Sequence, residues 1–102
     1  MNLECSNITR ELLPAVRIYA AEQLSSRYGM KQSEIARRLG IAQVAVSKYL
    51  NGKYSAHVKQ IKERITSSML VNETVRKVAS MTNQGAIDVL INELCTRLAY
   101  DA

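Results

Sequence analysis

Five side chains within nine residues have the types and the spacing needed to read the edges of DNA bases. On an α-helix, Gln43, Val44, Ser47, Lys48 and Asn51 fall at relative positions 0, 1, 4, 5 and 8, which places them on one face. Amide, hydroxyl and ammonium groups can hydrogen-bond to base edges in a major groove, where an aliphatic side chain can contact a thymine methyl group. We therefore predict base contacts from Gln43, Val44, Ser47 and Lys48, with a phosphate as the alternative target of Lys48.

A preceding amphipathic segment and a short joint would position this face. Ile35, Ala36 and Leu39 repeat at the spacing of one helix face, and Gly40 follows where a helix end needs a residue that tolerates positive φ. The joint of residues 40–42 is short enough only for a sharp corner. The pattern predicts a helix-turn-helix, whose first helix begins at Met30–Lys31 without a capping side chain. The buried stripe of the second helix is predicted at Ala42, Ala45, Val46, Tyr49 and Leu50.

An ordinary helical hairpin with a solvated polar face is the alternative, but the glycine, the joint length and the two distinct faces agree in favouring a helix-turn-helix. Contacts to the sugar-phosphate backbone are predicted for Gln32, Arg38, Asn51, Lys53 and Tyr54. The net charge of +5 is uneven, because residues 31–77 carry ten basic and three acidic side chains. Residues 1–30 carry three of each, and residues 78–102 carry one basic and three acidic. Such clustering suits a polyanion if these helices share one side, although scattered solvated cations are common.

Residues 32–53, with the Ser47-Lys48 pair and the closing Asn51-Gly52-Lys53, resemble the Cro- and phage-repressor-like helix-turn-helix family. Upstream, Glu4-Cys5, Tyr28-Gly29 and the run of residues 12–17 resemble a subset of archaeal predicted transcriptional regulators, some of which are fused to a thiamine-phosphate synthase-type domain. The resemblance implies DNA binding and transcription regulation. Two residues depart from it: Leu50 stands where many relatives have Glu, and Cys95 stands alone where that subset has more cysteines.

Length and composition favour one compact all-α domain, or one domain with an extension. Of 102 residues, 47% are hydrophobic with no Trp or Phe, which suits helix-on-helix packing. We predict a small bundle of five to six helices, with residues 1–70 as the helix-turn-helix domain and its bracing helices, and residues 71–102 as a helical extension for dimerisation. Pro14 either stands in the first turn of the upstream helix, which we favour, or kinks a helix that begins near Thr9. Ser55 or Ala56, Asn72 and Asn83 are expected to begin the later helices, with Met69 facing inward.

The last helix carries a broad apolar stripe that has two possible roles. It can dock on the core of its own chain, or it can pack against a second subunit. One helix-turn-helix contacts few base pairs, whereas a twofold pair reaches two half-sites roughly 34 Å apart. This argument favours a homodimer. Its predicted interface residues are Ile87, Leu90, Ile91, Leu94 and Leu98.

Other functions have little support in the sequence. There is one His, no Gly-rich phosphate loop and no nucleophile with a base, so no catalytic residue is predicted and the chain is not expected to be an enzyme. Cys5 and Cys95 lack the spacing of a zinc site, so neither a metal nor another cofactor is predicted. Both are expected as buried thiols, with a disulfide between them as the alternative in a hyperthermophile.

The expected partners are double-stranded DNA and a second copy of the chain, with no membrane partner and no identified small-molecule effector. No membrane-spanning or export segment is recognised, so a cytoplasmic location is expected. A protein-interaction module, such as an antitoxin or an accessory subunit that keeps the helix-turn-helix as a scaffold, is the alternative function.

Overall fold

Six α-helices and no strands make up residues 3–101, the part of the chain that the computed structural model describes. Side chains are described for residues 10–100. The helices are α1 (Leu3–Ser26), α2 (Gln32–Leu39), α3 (Gln43–Leu50), α4 (Ala56–Ile65), α5 (Met69–Ser80) and α6 (Gln84–Asp101). The predicted all-α fold with a helix-turn-helix is therefore confirmed.

The long helix α1 is the centre of the bundle, and α2, α3, α4, α5 and α6 all pack against it. Its side chains are buried on several faces, among them Ala15, Val16, Ile18 and Leu24, each at most 1% exposed. Pro14 lies inside α1, so the prediction that it stands in the first turn was wrong. A proline there removes one backbone hydrogen bond, but the buried residues around it stabilise the helical conformation through packing.

Helix α6 belongs to the core of the chain itself. Ile87, Ile91 and Leu94 are no more than 2% exposed, and Leu90 and Leu98 are half-buried against the same hydrophobic cluster. For Ile87, Ile91 and Leu94 this burial contradicts the predicted dimer interface, because side chains that fill the core cannot also face a second subunit. The cluster joins residues of all six helices. Residues 71–101 therefore share one core with the helix-turn-helix.

Polar side chains begin three of the helices. Ser55, Ser68 and Asn83 each accept a hydrogen bond from the backbone N–H three residues later, at 3.2, 3.3 and 2.9 Å. The predictions for Ser55 and Asn83 are confirmed. The prediction for Asn72 was wrong: it lies inside α5, where its amide donates to the carbonyls of Thr66 and Ser68. Met69 is 87% exposed and does not face inward.

The two cysteines differ in what the structure describes. Cys95 is fully buried, and desolvation raises the pKa of its thiol to about 11, although Arg17 opposes the shift. The side chain of Cys5 lies outside the described residues, so the proposed disulfide stays a prediction. Across residues 3–101, none of the helices combines the length and the hydropathy needed to cross a bilayer.

Candidate nucleic-acid interface

The corner between α2 and α3 is built around Gly40, whose φ of 66° lies in the left-handed region. Its N–H and that of Ile41 both donate to the carbonyl of Ala36, which closes the end of α2. Ala36 is buried where the two helices meet, as the sequence predicts. The start of α2 also agrees, because Lys31 occupies the N-cap position without a capping side chain.

Helix α3 presents one face to the core and another to solvent. Val46 is completely buried, whereas Val44 is 64% exposed. Gln43 and Lys48 are exposed and Ser47 is half-buried, so the four predicted base-reading side chains stand on the accessible part of α3. The predicted inward stripe is less complete, because Ala42 at the start of the helix is exposed. An exposed aliphatic side chain among an amide, a hydroxyl and an ammonium group suits a major-groove surface.

The segment after α3 is fixed by local hydrogen bonds. The Asn51 side-chain amide donates to the carbonyl of Ser47 at 2.8 Å, and Gly52 turns the chain with a φ of 71°. The N–H of Lys53 then donates to the carbonyl of Lys48 at 2.8 Å. Lys53 is left exposed just beyond α3, as a backbone contact requires. Gln32, the first residue of α2, is half-buried.

Tyr54 is half-buried and its hydroxyl is bonded within the protein, which argues against its predicted role as a DNA contact. Its hydroxyl accepts a hydrogen bond from Lys62 Nζ at 2.8 Å and donates to Glu22 Oε2 at 3.4 Å. Lys62 Nζ also pairs with the Glu22 carboxylate at 3.0 Å and lies 5.4 Å from the centre of the Tyr54 ring. Burial opposes the charge on Lys62, but the bonds to Tyr54 and Glu22 outweigh it and raise the pKa of Lys62.

This cluster of Glu22, Tyr54 and Lys62 ties the segment after α3 to α1 and α4. The sequence pattern does not indicate this cluster, because Glu22 lies 32 residues before Tyr54 and 40 residues before Lys62. No local spacing indicates such a contact. The cluster fixes the segment that follows α3 while leaving Lys53 exposed to solvent.

The guanidinium group of Arg38 is also bonded within the protein, which argues against its predicted role as a backbone contact. Its side chain is only 13% exposed, and its Nε donates to Glu34 Oε2 at 2.8 Å. Its Nη1 donates to the carbonyls of Val78 and Ala79 at 3.1 and 2.9 Å and also to that of Met81. A cation bonded to the last carbonyls of α5 is favourably placed at the negative end of that helix.

The exposed cations of the helix-turn-helix are different residues from Arg38. Lys31, Lys48 and Lys53 are all exposed, and the Arg37 side chain is 57% exposed beside Glu34. Together they give the unit a positive outer surface that a polyanion would attract. Lys31 and Arg37 were not among the predicted contacts. Their exposure is a tertiary property that the sequence pattern does not report.

Comparison with known proteins bears on this same segment. Residues 27–63 match the family model described as Helix-turn-helix, a family of DNA-binding domains. The matched range contains α2, α3 and most of α4. It supports the resemblance of this segment to the Cro- and phage-repressor-like proteins. Searches of curated proteins and of solved structures gave no significant match to the chain.

Proposed function

We propose that this protein is a sequence-specific DNA-binding regulator of transcription that inserts α3 into the major groove. The observation that carries the proposal is the accessible face of α3, where Val44 is 64% exposed although Val46, two residues later, is fully buried. Val44 lies on this accessible face together with an amide, a hydroxyl and an ammonium group, and that combination of groups suits the base edges of a major groove. The match of the segment to a DNA-binding family supports DNA as that molecule.

Residue roles follow from exposure. Gln43, Val44, Ser47 and Lys48 are proposed to contact base edges, with Gln43 favouring adenine. Backbone contacts are proposed from Gln32, Asn51 and Lys53, and from the exposed cations Lys31 and Arg37. Arg38 and Tyr54 leave the predicted set because their polar groups are bonded within the protein.

Affinity should depend strongly on salt. Each phosphate that is neutralised releases a bound counterion, so about six contacts would give a slope near −5 in a plot of log K against log salt. A homodimer is proposed because two recognition helices related by a twofold axis read two half-sites. The resemblance of the upstream segment to archaeal predicted regulators supports the same role in transcription.

The experiment that tests this function is selection of bound duplexes from a random pool, followed by titration of the selected site at several salt concentrations. Enrichment of one sequence, repeated with inverted symmetry, is expected. Failure to enrich any sequence would overturn the proposal. Stoichiometric co-purification of another protein, with no DNA affinity, would favour the interaction module instead.

Two variants distinguish recognition of DNA bases from attraction to the DNA sugar-phosphate backbone. Gln43→Ala should cost roughly 1–3 kcal/mol on the selected site and relax preference at one base pair. Lys53→Ala should weaken binding to selected and random duplexes alike and reduce the salt slope by about 1. An equal loss on both duplexes for Gln43→Ala would show that Gln43 does not read a base.

A further inference from the structure

Helix α6 has a second face, opposite the stripe that fills the core. Val89, Glu93, Thr96 and Tyr100 follow each other at intervals of four, three and four residues along this face. All four are exposed, and the two large side chains, Val89 and Tyr100, are 59% and 68% exposed. This spacing is the one by which two helices pack along a seam. The seam, residues 89, 93, 96 and 100, is left uncovered by the chain itself.

A shallow, open depression between side chains of α6 lies along the same face. It is lined by Asp88, Val89, Asn92, Glu93, Thr96 and Arg97. Glu93 and Arg97 carry opposite charges and lie one helical turn apart, yet among the described side chains neither forms an ion pair. Their charges are therefore available to a partner.

We propose that the seam packs antiparallel against α6 of a second copy of this chain. With the twofold axis between residues 94 and 95, Tyr100 of each copy lies opposite Val89 of the other, and Glu93 lies opposite Thr96. Arg97 of the second copy then lies beside Glu93, and the twofold axis repeats this ion pair. The interface is isologous, so each apolar and each charged contact occurs twice.

Self-complementarity is the argument for a second copy over an unrelated partner. The seam and the adjoining Arg97 supply both members of the ion pair and both members of the aromatic–aliphatic contact, which a surface evolved for another protein would not need. Helix α6 packs on α1, α2 and α5, and the seam contains none of the residues of the DNA-facing surface of α3. The seam therefore shares no residue with the proposed DNA contacts.

The inference rests on the proposed function for the use of the dimer, but its test needs no DNA. Sedimentation of the full chain should show a dimer. Glu93→Lys and Arg97→Glu, taken separately, each place two like-charge pairs across the axis and should weaken the dimer Kd by roughly 10- to 30-fold. Circular dichroism should be unchanged, because both side chains are exposed.

Mixing the two variants provides the decisive measurement. In a mixed dimer, the ammonium group introduced by Glu93→Lys in one copy faces the carboxylate introduced by Arg97→Glu in the other. The unchanged Arg97 of the first copy faces the unchanged Glu93 of the second, so both ion pairs are restored. Neither variant regains an attractive pair when it associates with itself, so dimerisation on mixing would demonstrate contact between copies. Met69→Ser, which changes the exposed apolar side chain at the start of α5, is the control and should leave the dimer intact.

Three results would overturn the proposal: a monomeric wild-type chain, variants that dimerise normally, or variants that stay monomeric when mixed. Loss of the dimer in Met69→Ser would place the interface on α5. Selection of a DNA sequence by the wild-type protein is independent of all three. A failure of the dimer proposal can therefore be distinguished from a failure of the proposed DNA binding.

Discussion

Replacement of Arg38 by Met is the sharpest test of how the helix-turn-helix is attached to the rest of the bundle. Met keeps the length and the apolar stem of the side chain but removes the guanidinium group. The variant would leave the last carbonyls of α5 without their donor and Glu34 without its more buried partner. Its expected effect is a loss of stability.

The magnitude follows from the contacts. Hydrogen bonds that involve a charged group contribute about 1.5–3 kcal/mol each. The Arg38 Nη1 has two protons for three carbonyls, and desolvation of a side chain that is 13% exposed offsets part of the gain. A net loss of about 2–4 kcal/mol in the free energy of unfolding is expected, set against a total of about 5–15 kcal/mol for a domain of this size.

The neighbouring Arg37 supplies a matched control. It pairs with the same Glu34, but its side chain is 57% exposed, so Arg37→Met should cost less than about 0.5 kcal/mol. Urea unfolding at pH 7, followed by circular dichroism, measures both variants. Equal stabilities for the two variants would refute the reasoning. A stable Arg38→Met protein with weakened DNA binding would restore the role that the sequence predicted.

Three further outcomes are expected. Gly40→Ala should lower stability by about 1–2 kcal/mol through its positive φ, and adding Gln84→Ala should recover little of this in thermal unfolding, because the exposed end of the Gln84 side chain can move away from the added methyl group. The hydrogen bond from Arg38 holds the pKa of Glu34 below its ordinary 4.5, against partial desolvation, with Arg37 adding to the effect. The ionised Glu34 carboxylate therefore contributes fully to the free energy of unfolding above about pH 4.5, and this contribution is lost as the pH falls through the lower pKa of the folded state. Stability of Glu34→Gln measured at pH 7 and pH 3 should lack this part of the acid dependence. Tyr19→Phe should cost about 1–2 kcal/mol in urea unfolding, because the buried hydroxyl bonds to Asn72; an unchanged midpoint would contradict that contact.

The helix-turn-helix could be predicted from sequence because its determinants are local. The positive φ of Gly40, the small Ala36 and the missing cap at Lys31 all lie within ten residues of each other. The caps at Ser55 and Asn83 are local for the same reason, since each bonds a backbone N–H three residues later. Features that depend only on residues close together in the chain can therefore be predicted from residue spacing.

The internal hydrogen bonds of Arg38 and Tyr54 were not expected from the sequence, and the two cases share one physical cause. Both are polar residues next to the recognition unit, and proximity in sequence made them plausible DNA contacts. Each also has nearby partners, but the contacts that tie it to the rest of the bundle lie 32 to 43 residues away, on α1 or at the end of α5. Whether a cation is solvated or bonded within the protein depends on those distant elements. Pro14 illustrates the same limit, because packing around α1 outweighs the local preference of proline for a first turn.

Helix α6 shows what a periodic pattern can and cannot specify. The spacing of Ile87, Ile91 and Leu94 correctly indicates a buried face, but it does not say whether the burial is within the chain or between chains. Once the structure assigns that face to the core, the residues available to a partner are those on the opposite side. A dimer that uses the opposite side keeps the core of each subunit complete, so the subunits can fold before they associate. DNA binding and subunit pairing would then use separate surfaces. The charge changes at Glu93 and Arg97 can therefore weaken the dimer without changing the fold that supports the DNA-binding surface.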